Sequence, residues 1–204
     1  MEVFASTSFT TRGLLSKFMR NTLQLITLAT ELALTLADVK SFLLVDDSSD
    51  DVLIGMLISA CTATVENYLN RSLLTQTWQL TIKDFDCDVI QLAKGNVQSI
   101  ESITIYDLQN TPSTLDTAVY SLLHNKVVLN YGYQWPYFLR DVSAIEINFI
   151  AGYGDTANDI PDAIKLGILM YVSACYNARG LCDIPTDVTA MLKPYRLLAL
   201  RGLG

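Results

Sequence analysis

The chain is short of histidine: His124 is the only one among 204 residues. A nucleophile that needs a base titrating near neutrality therefore has a single candidate. That candidate sits in "HNK", a predicted hairpin turn, where a surface residue beside Asn125 is expected. G-x-S-x-G, H-E-x-x-H and G-K-[ST] do not occur, so no serine-hydrolase, zinc-peptidase or phosphate-loop motif can be read. The four cysteines, Cys61, Cys87, Cys175 and Cys182, show no C-x-x-C spacing. Buried reduced thiols are expected in place of a zinc site.

Charge is scarce too, at 17% of residues against 50% apolar ones. A sizeable core is available, and much of the surface is expected to lie against other subunits. The net charge of −7 excludes a general basic face for nucleic acid. Proline and glycine are not enriched, which argues against disorder. Long apolar runs are absent from the two stretches considered as spans. "AIKLGILMYVSACYNA" is too short and holds Lys165; "LQLITLATELAL" is shorter and holds Glu31. No membrane segment is expected.

What is present changes texture along the chain. Residues 1–20 are rich in serine and threonine, as an extended arm, a transit peptide or a loose leader would be. In "LTLADVKSFLLVDD", Thr35 caps a short helix, with Asp38 three residues later, ending near Val45. "DDSSDD" lacks the glycine and spacing of a calcium loop. Ser49 or Asp50 is expected to cap the next helix, with the neighbouring acids favoured at its positive end. Asp46–Asp47 and Asp50–Asp51 could hold a metal, but the helix end accounts for them. That helix runs from about Asp50 to Asn70, with Ile54, Ile58, Cys61, Val65 and Leu69 on one line and Leu53, Leu57, Thr64 and Tyr68 beside it.

From Leu73 to Tyr153 the pattern alternates and favours β-formers. About six strands are expected, with connections too short for parallel crossovers, hence an antiparallel sheet. Helical period returns after Ile160. Pro161 suits the first helical position, Ile164, Ile168, Tyr171 or Val172, and Cys175 line one face, and Gly180 after Arg179 reads as the stop. Pro194 should break the last helix at Lys193. The expected fold is α+β: a helical bundle of two N-terminal and two C-terminal helices with an inserted antiparallel β-subdomain. The expected division is an N-terminal arm over 1–33, a bundle over 34–72 plus 155–204, and a β insertion over 73–154.

"AGYGD" (151–155) invites a pore or nucleotide reading. A dinucleotide fingerprint needs a third glycine leading straight into a helix; here six residues separate Gly154 from Pro161. A turn made possible by Gly152 and Gly154 is expected. In "YGYQWPYF", Tyr131, Tyr133, Trp135, Tyr137 and Phe138 form an aromatic cluster. It suits a subunit contact, fold packing or a stacking patch for a sugar or base. Charge is uneven: residues 188–204 hold Lys193, Arg196 and Arg201 and no acid, while residues 1–20 hold three bases and one acid. An acidic body with basic ends can dock those ends on acidic partners, copies of itself included.

Six stretches in this order resemble phage head–tail connector (adaptor, head-completion) proteins, over about residues 34–196. They are the Val45–Asp46 end of the first helix with its acidic run, "YLNR" (Tyr68–Arg71), "LLTQTW" (73–78), "LNYGYQWPY" (129–137), "INFIAGYGD" leading to "IPDAIKLGILMYVSACYNAR", and "MLKPYR" (191–196). Three features depart from the pattern: a longer leader before Asn21, Tyr176 where tryptophan is common, and serines within the acidic run. The resemblance implies a structural virion neck protein, assembled in the host cytoplasm and without enzyme activity or cofactor. Its copies would form a ring, usually twelve-fold, under the portal, extending the DNA channel and docking a tail or stopper protein. DNA would pass an acidic wall without specific binding. Portal contacts are expected from Lys193, Tyr195, Arg196 and Arg201, and partner or inter-subunit contacts from Tyr133, Trp135, Tyr137 and Phe138. The alternatives are a tail-completion or stopper protein, and a carbohydrate-binding envelope module using the 131–138 patch.

Overall fold

The structure, a computed structural model, describes residues 21–82, 89–136, 139–140, 142–180 and 182–197. Cys87, Tyr137, Phe138 and Arg201 lie outside the described residues. The fold is α+β: among the described residues one strand comes first, then two helices, the remaining strands and two further helices.

Helix α1 (Leu36–Leu43) starts as its sequence directs: the Thr35 side chain accepts from the Asp38 N–H at 3.1 Å. It ends two residues before Val45, because Leu44 turns left-handed (φ 57°) and the Val45 N–H reaches back to the Lys40 carbonyl at 3.1 Å. Helix α2 (Asp51–Leu69) buries Ile54, Leu57, Ile58, Cys61, Val65 and Leu69. Its 19 residues are apolar enough to cross a membrane by length and composition alone, a match that the two stretches weighed above had missed. Packing accounts for it: its buried line lies in one cluster with Ile164, Ile168, Tyr171, Val172 and Cys175 of α3 (Asp162–Asn177). Helix α4 (Thr186–Leu192) adds Val188 and Leu192 to the same core. Pro194 then tightens the chain into a 3-10 turn at Lys193–Tyr195, as its missing N–H requires.

Two caps differ from expectation. Pro161 takes the N-cap of α3, not its first turn. At the far end the left-handed residue is Arg179 (φ 53°), one before Gly180. The Gly180 N–H bonds the Cys175 carbonyl at 3.1 Å and the Arg179 N–H bonds that of Tyr176 at 3.1 Å, a Schellman arrangement.

The β region makes two sheets, and every strand pairing within them is antiparallel. In chain order the strands are β1 (Thr22–Thr27), β2 (Gln76–Ile82), β3 (Val89–Gln91), β4 (Val97–Tyr106), β5 (Pro112–Thr114), β6 (Tyr120–Leu123), β7 (Lys126–Leu129) and β8 (Ile145–Ala151). The larger sheet has the order β1-β2-β8-β4-β5 and the smaller β3-β7-β6. Alternation decides which faces meet. Ile145, Ile147, Phe149 and Ala151 of central β8, with Leu80, Ile82, Ile103 and Ile105 beside them, form a second core with Ile90, Tyr120 and Val127 of the smaller sheet. The hairpin β6–β7 turns on His124 and Asn125, both with positive φ (48° and 62°), the geometry of a two-residue type I′ turn.

Two strands escaped the count of about six. β5 has three exposed residues and no apolar alternation. β1 falls in the stretch expected to be an arm, yet it pairs with β2 from Thr22 opposite Thr81 to Thr27 opposite Thr77. Its "TLQLIT" alternates, with Leu23 resting against the β core, a signal hidden when it is read together with the apolar residues that follow.

Candidate assembly surfaces and the junction behind them

The acidic run "DDSSDD" is spent on tertiary contacts. Asp50 occupies the N-cap of α2 but makes no side-chain cap bond; its carboxylate accepts from the Tyr176 hydroxyl at 2.5 Å and so ties α2 to α3. That contact pushes the Tyr176 hydroxyl above its ordinary pKa, chiefly through the hydrogen bond to a carboxylate. Asp51 pairs with Lys40 of α1 at 2.6 Å, and the same ammonium donates to the Asp47 carbonyl at 2.7 Å. Asp47 caps the local turn by accepting from the N–H and hydroxyl of Ser49, which hold its carboxyl below the usual range. Among the described residues no group of three or more His, Cys, Asp or Glu could hold a metal. Exposed His124 stays at its hairpin.

At the other end of α2 the remaining motifs converge. Asn70 turns left-handed to end the helix, and Arg71 enters the gap between the two cores. Its Nε donates to the Tyr195 carbonyl at 2.6 Å and a terminal nitrogen donates to Asn96 Oδ1. One guanidinium thus fastens the end of α2, the loop before β4 and the C-terminal turn. Glu66 accepts from the Leu73 N–H at 2.7 Å and from Gln76 at 3.5 Å. Burial pushes its carboxyl above the ordinary 4.5, against the pull of the Leu73 N–H, Lys94 and Gln76. Lys94, 7% exposed, lies over the Trp78 ring at 4.7 Å and is pushed below its usual pKa by burial. The Trp78 indole N–H donates to Ser72 at 2.9 Å.

"AGYGD" belongs to this junction as well. A Cβ on Gly152 would sit 2.5 Å from the Leu74 carbonyl, and one on Gly154 would sit 2.4 Å from the Asp159 carboxylate. The missing side chains let Thr75 N–H bond the Gly154 carbonyl at 2.9 Å and Tyr153 N–H bond that of Leu73 at 3.0 Å. The stretch is a turn that seats the sheet against the helices.

The predicted contact residues are dispersed. Lys193 and Arg196 are exposed, with Arg196 over the Tyr68 ring at 4.9 Å. Tyr195 is half-buried against the helical core. In the aromatic stretch, Asn130–Tyr133 closes a turn through Tyr133 N–H to the Asn130 carbonyl at 3.1 Å, with Gly132 at φ 87°. It holds Tyr131 and Tyr133 outward, whereas Trp135 is buried in the β core. For stacking on a ligand, Trp135 is therefore the wrong ring, and Tyr131 and Tyr133 are the exposed ones.

Sequence reasoning missed two features. Leu44, 89% exposed, with Val52 at 75% and Met56 at 60%, puts large apolar side chains in solvent on α2 and the turn before it. Their signal was present in the spacing of Val52 and Met56, opposite the buried line of α2. Arg140 was also overlooked. It lies over the Tyr106 ring at 3.8 Å, donates to the Ser143 carbonyl at 2.8 Å and to Asn110 at 2.5 Å, and pairs with Glu146 at 3.8 Å.

The family model described as head completion protein matches residues 32–182. Comparison with curated proteins gives no match. Three solved structures share the fold. "Neck of empty GTA particle computed with C6 symmetry" has a TM-score of 0.75 at 18% identity, covering 89% of this chain and 98% of that one. "Virion of native gene transfer agent (GTA) particle" has 0.74 at 19%, covering 88% and 98%. "Neck of native GTA particle computed with C12 symmetry" has 0.73 at 19%, covering 89% and 98%.

Proposed function

The chain belongs to the head completion protein family, and from that premise we propose that it is a structural component of the virion neck. Copies form a ring under the portal, extend the DNA channel and offer the tail a docking face. The observation that carries this reading is the exposed apolar surface. Leu44, Val52 and Met56, and Tyr131 on the β side, are large groups left in water by a chain with two well-filled cores. A ring subunit covers such groups with its neighbours, and head-to-tail contacts close when the rotation per subunit fits. The neck structures that share the fold were computed with six- and twelve-fold symmetry, which supports the closed ring. The net charge of −7 suits a wall along which phosphates slide without sticking. The reading assigns the chain no catalysis and no cofactor.

Lys193 and Arg196, exposed on and just after the last turn, are the described residues best placed to meet an acidic portal surface. Deleting the segment from Val188 would be a poor test, since Val188 and Leu192 are core residues. The double variant Lys193→Glu, Arg196→Glu is the better one. It should lose co-sedimentation with portal while keeping its helical circular dichroism. Co-sedimentation equal to wild type refutes the portal contact.

A further inference from the structure

We propose that Cys175 and Cys182 are an oxidisable pair whose disulfide staples the end of α3 to the loop entering α4. The sulfurs lie 3.0 Å apart, and a third thiol, Cys61 of α2, lies 3.9 Å from Cys175. A disulfide needs about 2.05 Å, so the pair is about 1 Å from bonding distance. Described residues on both sides of the pair hold the two cysteines in place. The Gly180 N–H bonds the Cys175 carbonyl at 3.1 Å, and the Tyr171 hydroxyl donates to the Cys182 carbonyl at 2.7 Å. All three thiols are free.

Exposure sets the order of events. Cys61 and Cys175 are buried, while Cys182 is only half-buried and is where a small oxidant meets the cluster. With glutathione disulfide, the Cys182 thiolate attacks one sulfur and releases one glutathione thiol. The Cys175 thiolate then attacks Cys182 in the mixed disulfide and releases the second. Two protein thiols lose two electrons and two protons, and one glutathione disulfide becomes two glutathiones. The hydrogen bond to Cys175, with burial, pushes the Cys182 thiol up to about 11, so exchange is slow at neutral pH and quickens as pH rises. A reducing cytosol keeps such a pair open, and an oxidising exterior closes it. The staple would fix the loop from which α4 and the Lys193–Arg196 turn follow. The thiol geometry stands whether or not the neck reading holds.

The test uses the full chain, purified in reductant and then exposed to glutathione disulfide at mildly alkaline pH. Denaturing alkylation should leave two of the four cysteines unmodified, and a peptide map should link Cys175 to Cys182. The thermal midpoint should rise by about 5 °C, since the bond closes a short loop in the unfolded chain. Dithiothreitol should reverse all three changes. Cys182→Ser should abolish the link and the rise, and Cys61→Ala should keep the link. Full alkylation of all four thiols, or a link from Cys175 to Cys61 or Cys87, overturns the proposal.

Discussion

Arg71 and Arg140 do similar work in different places. Each guanidinium closes a loop onto regular structure by donating to backbone and amide oxygens. Arg71 joins three distant segments, around residues 71, 96 and 195, where the helical and β cores meet. Arg140 joins residues within the β region, from Asn110 to Glu146. A side chain that ties distant segments fixes the path of all of them, whereas one that ties a loop to its own sheet fixes only the loop. The helix–sheet junction is therefore held by polar ties at set positions, and the outer β loops by local ones.

Replacing each arginine by leucine sharpens this contrast most. Arg71→Leu should cost about 3 kcal/mol, because several charged hydrogen bonds are lost and their acceptors stay half-buried. Arg140→Leu should cost about 1 kcal/mol, with the Glu146 pair partly solvated. Urea denaturation measures both, and equal losses would break the comparison.

How legible each part was follows from the same difference. "YLNR", "LLTQTW" and "AGYGD" stood out as stretches because Arg71, Trp78, Gly152 and Gly154 each meet a demand that few residue types satisfy. That they meet at one junction was not legible, since it depends on how two cores stack. Helices α2 and α3 were readable from the period of Ile54–Leu69 and Ile164–Cys175. β1 was not, because the short alternation of "TLQLIT" runs straight into the apolar residues after it, and only its pairing with β2 separates the two. For "YGYQWPYF" the sequence left subunit contact, fold packing and stacking open; Trp135 is spent on packing in the β core, while the turn at Gly132 leaves Tyr131 and Tyr133 outside. The Asp50–Tyr176 bond was hidden in the acidic run, where a cap was the simpler expectation.

That bond gives the next smaller effect. Tyr176→Phe keeps the ring and removes the donor to Asp50, and should cost about 1 kcal/mol, read as a shift in urea midpoint at unchanged slope. No shift would mean that the acidic run holds the helices through Lys40 and Asp51 alone.

The smallest effect concerns Glu66. Burial raises its folded pKa above the ordinary 4.5, so the folded state holds the proton more tightly than the unfolded chain. Stability contributed by Glu66 therefore falls as pH rises from 4.5 through the folded value. Glu66→Gln retains an oxygen for the Leu73 N–H and removes the titration. The variant should lose this slope just above pH 4.5, and identical wild-type and variant profiles would exclude Glu66 as its source.

The central claim is that the chain is a ring subunit of the neck, and a cryo-EM map of the intact particle tests it most directly. The account predicts copies of this fold side by side beneath the portal, with Leu44, Val52 and Met56 covered by protein. A neck with no density for the chain, or isolated copies with those side chains in solvent, would contradict it.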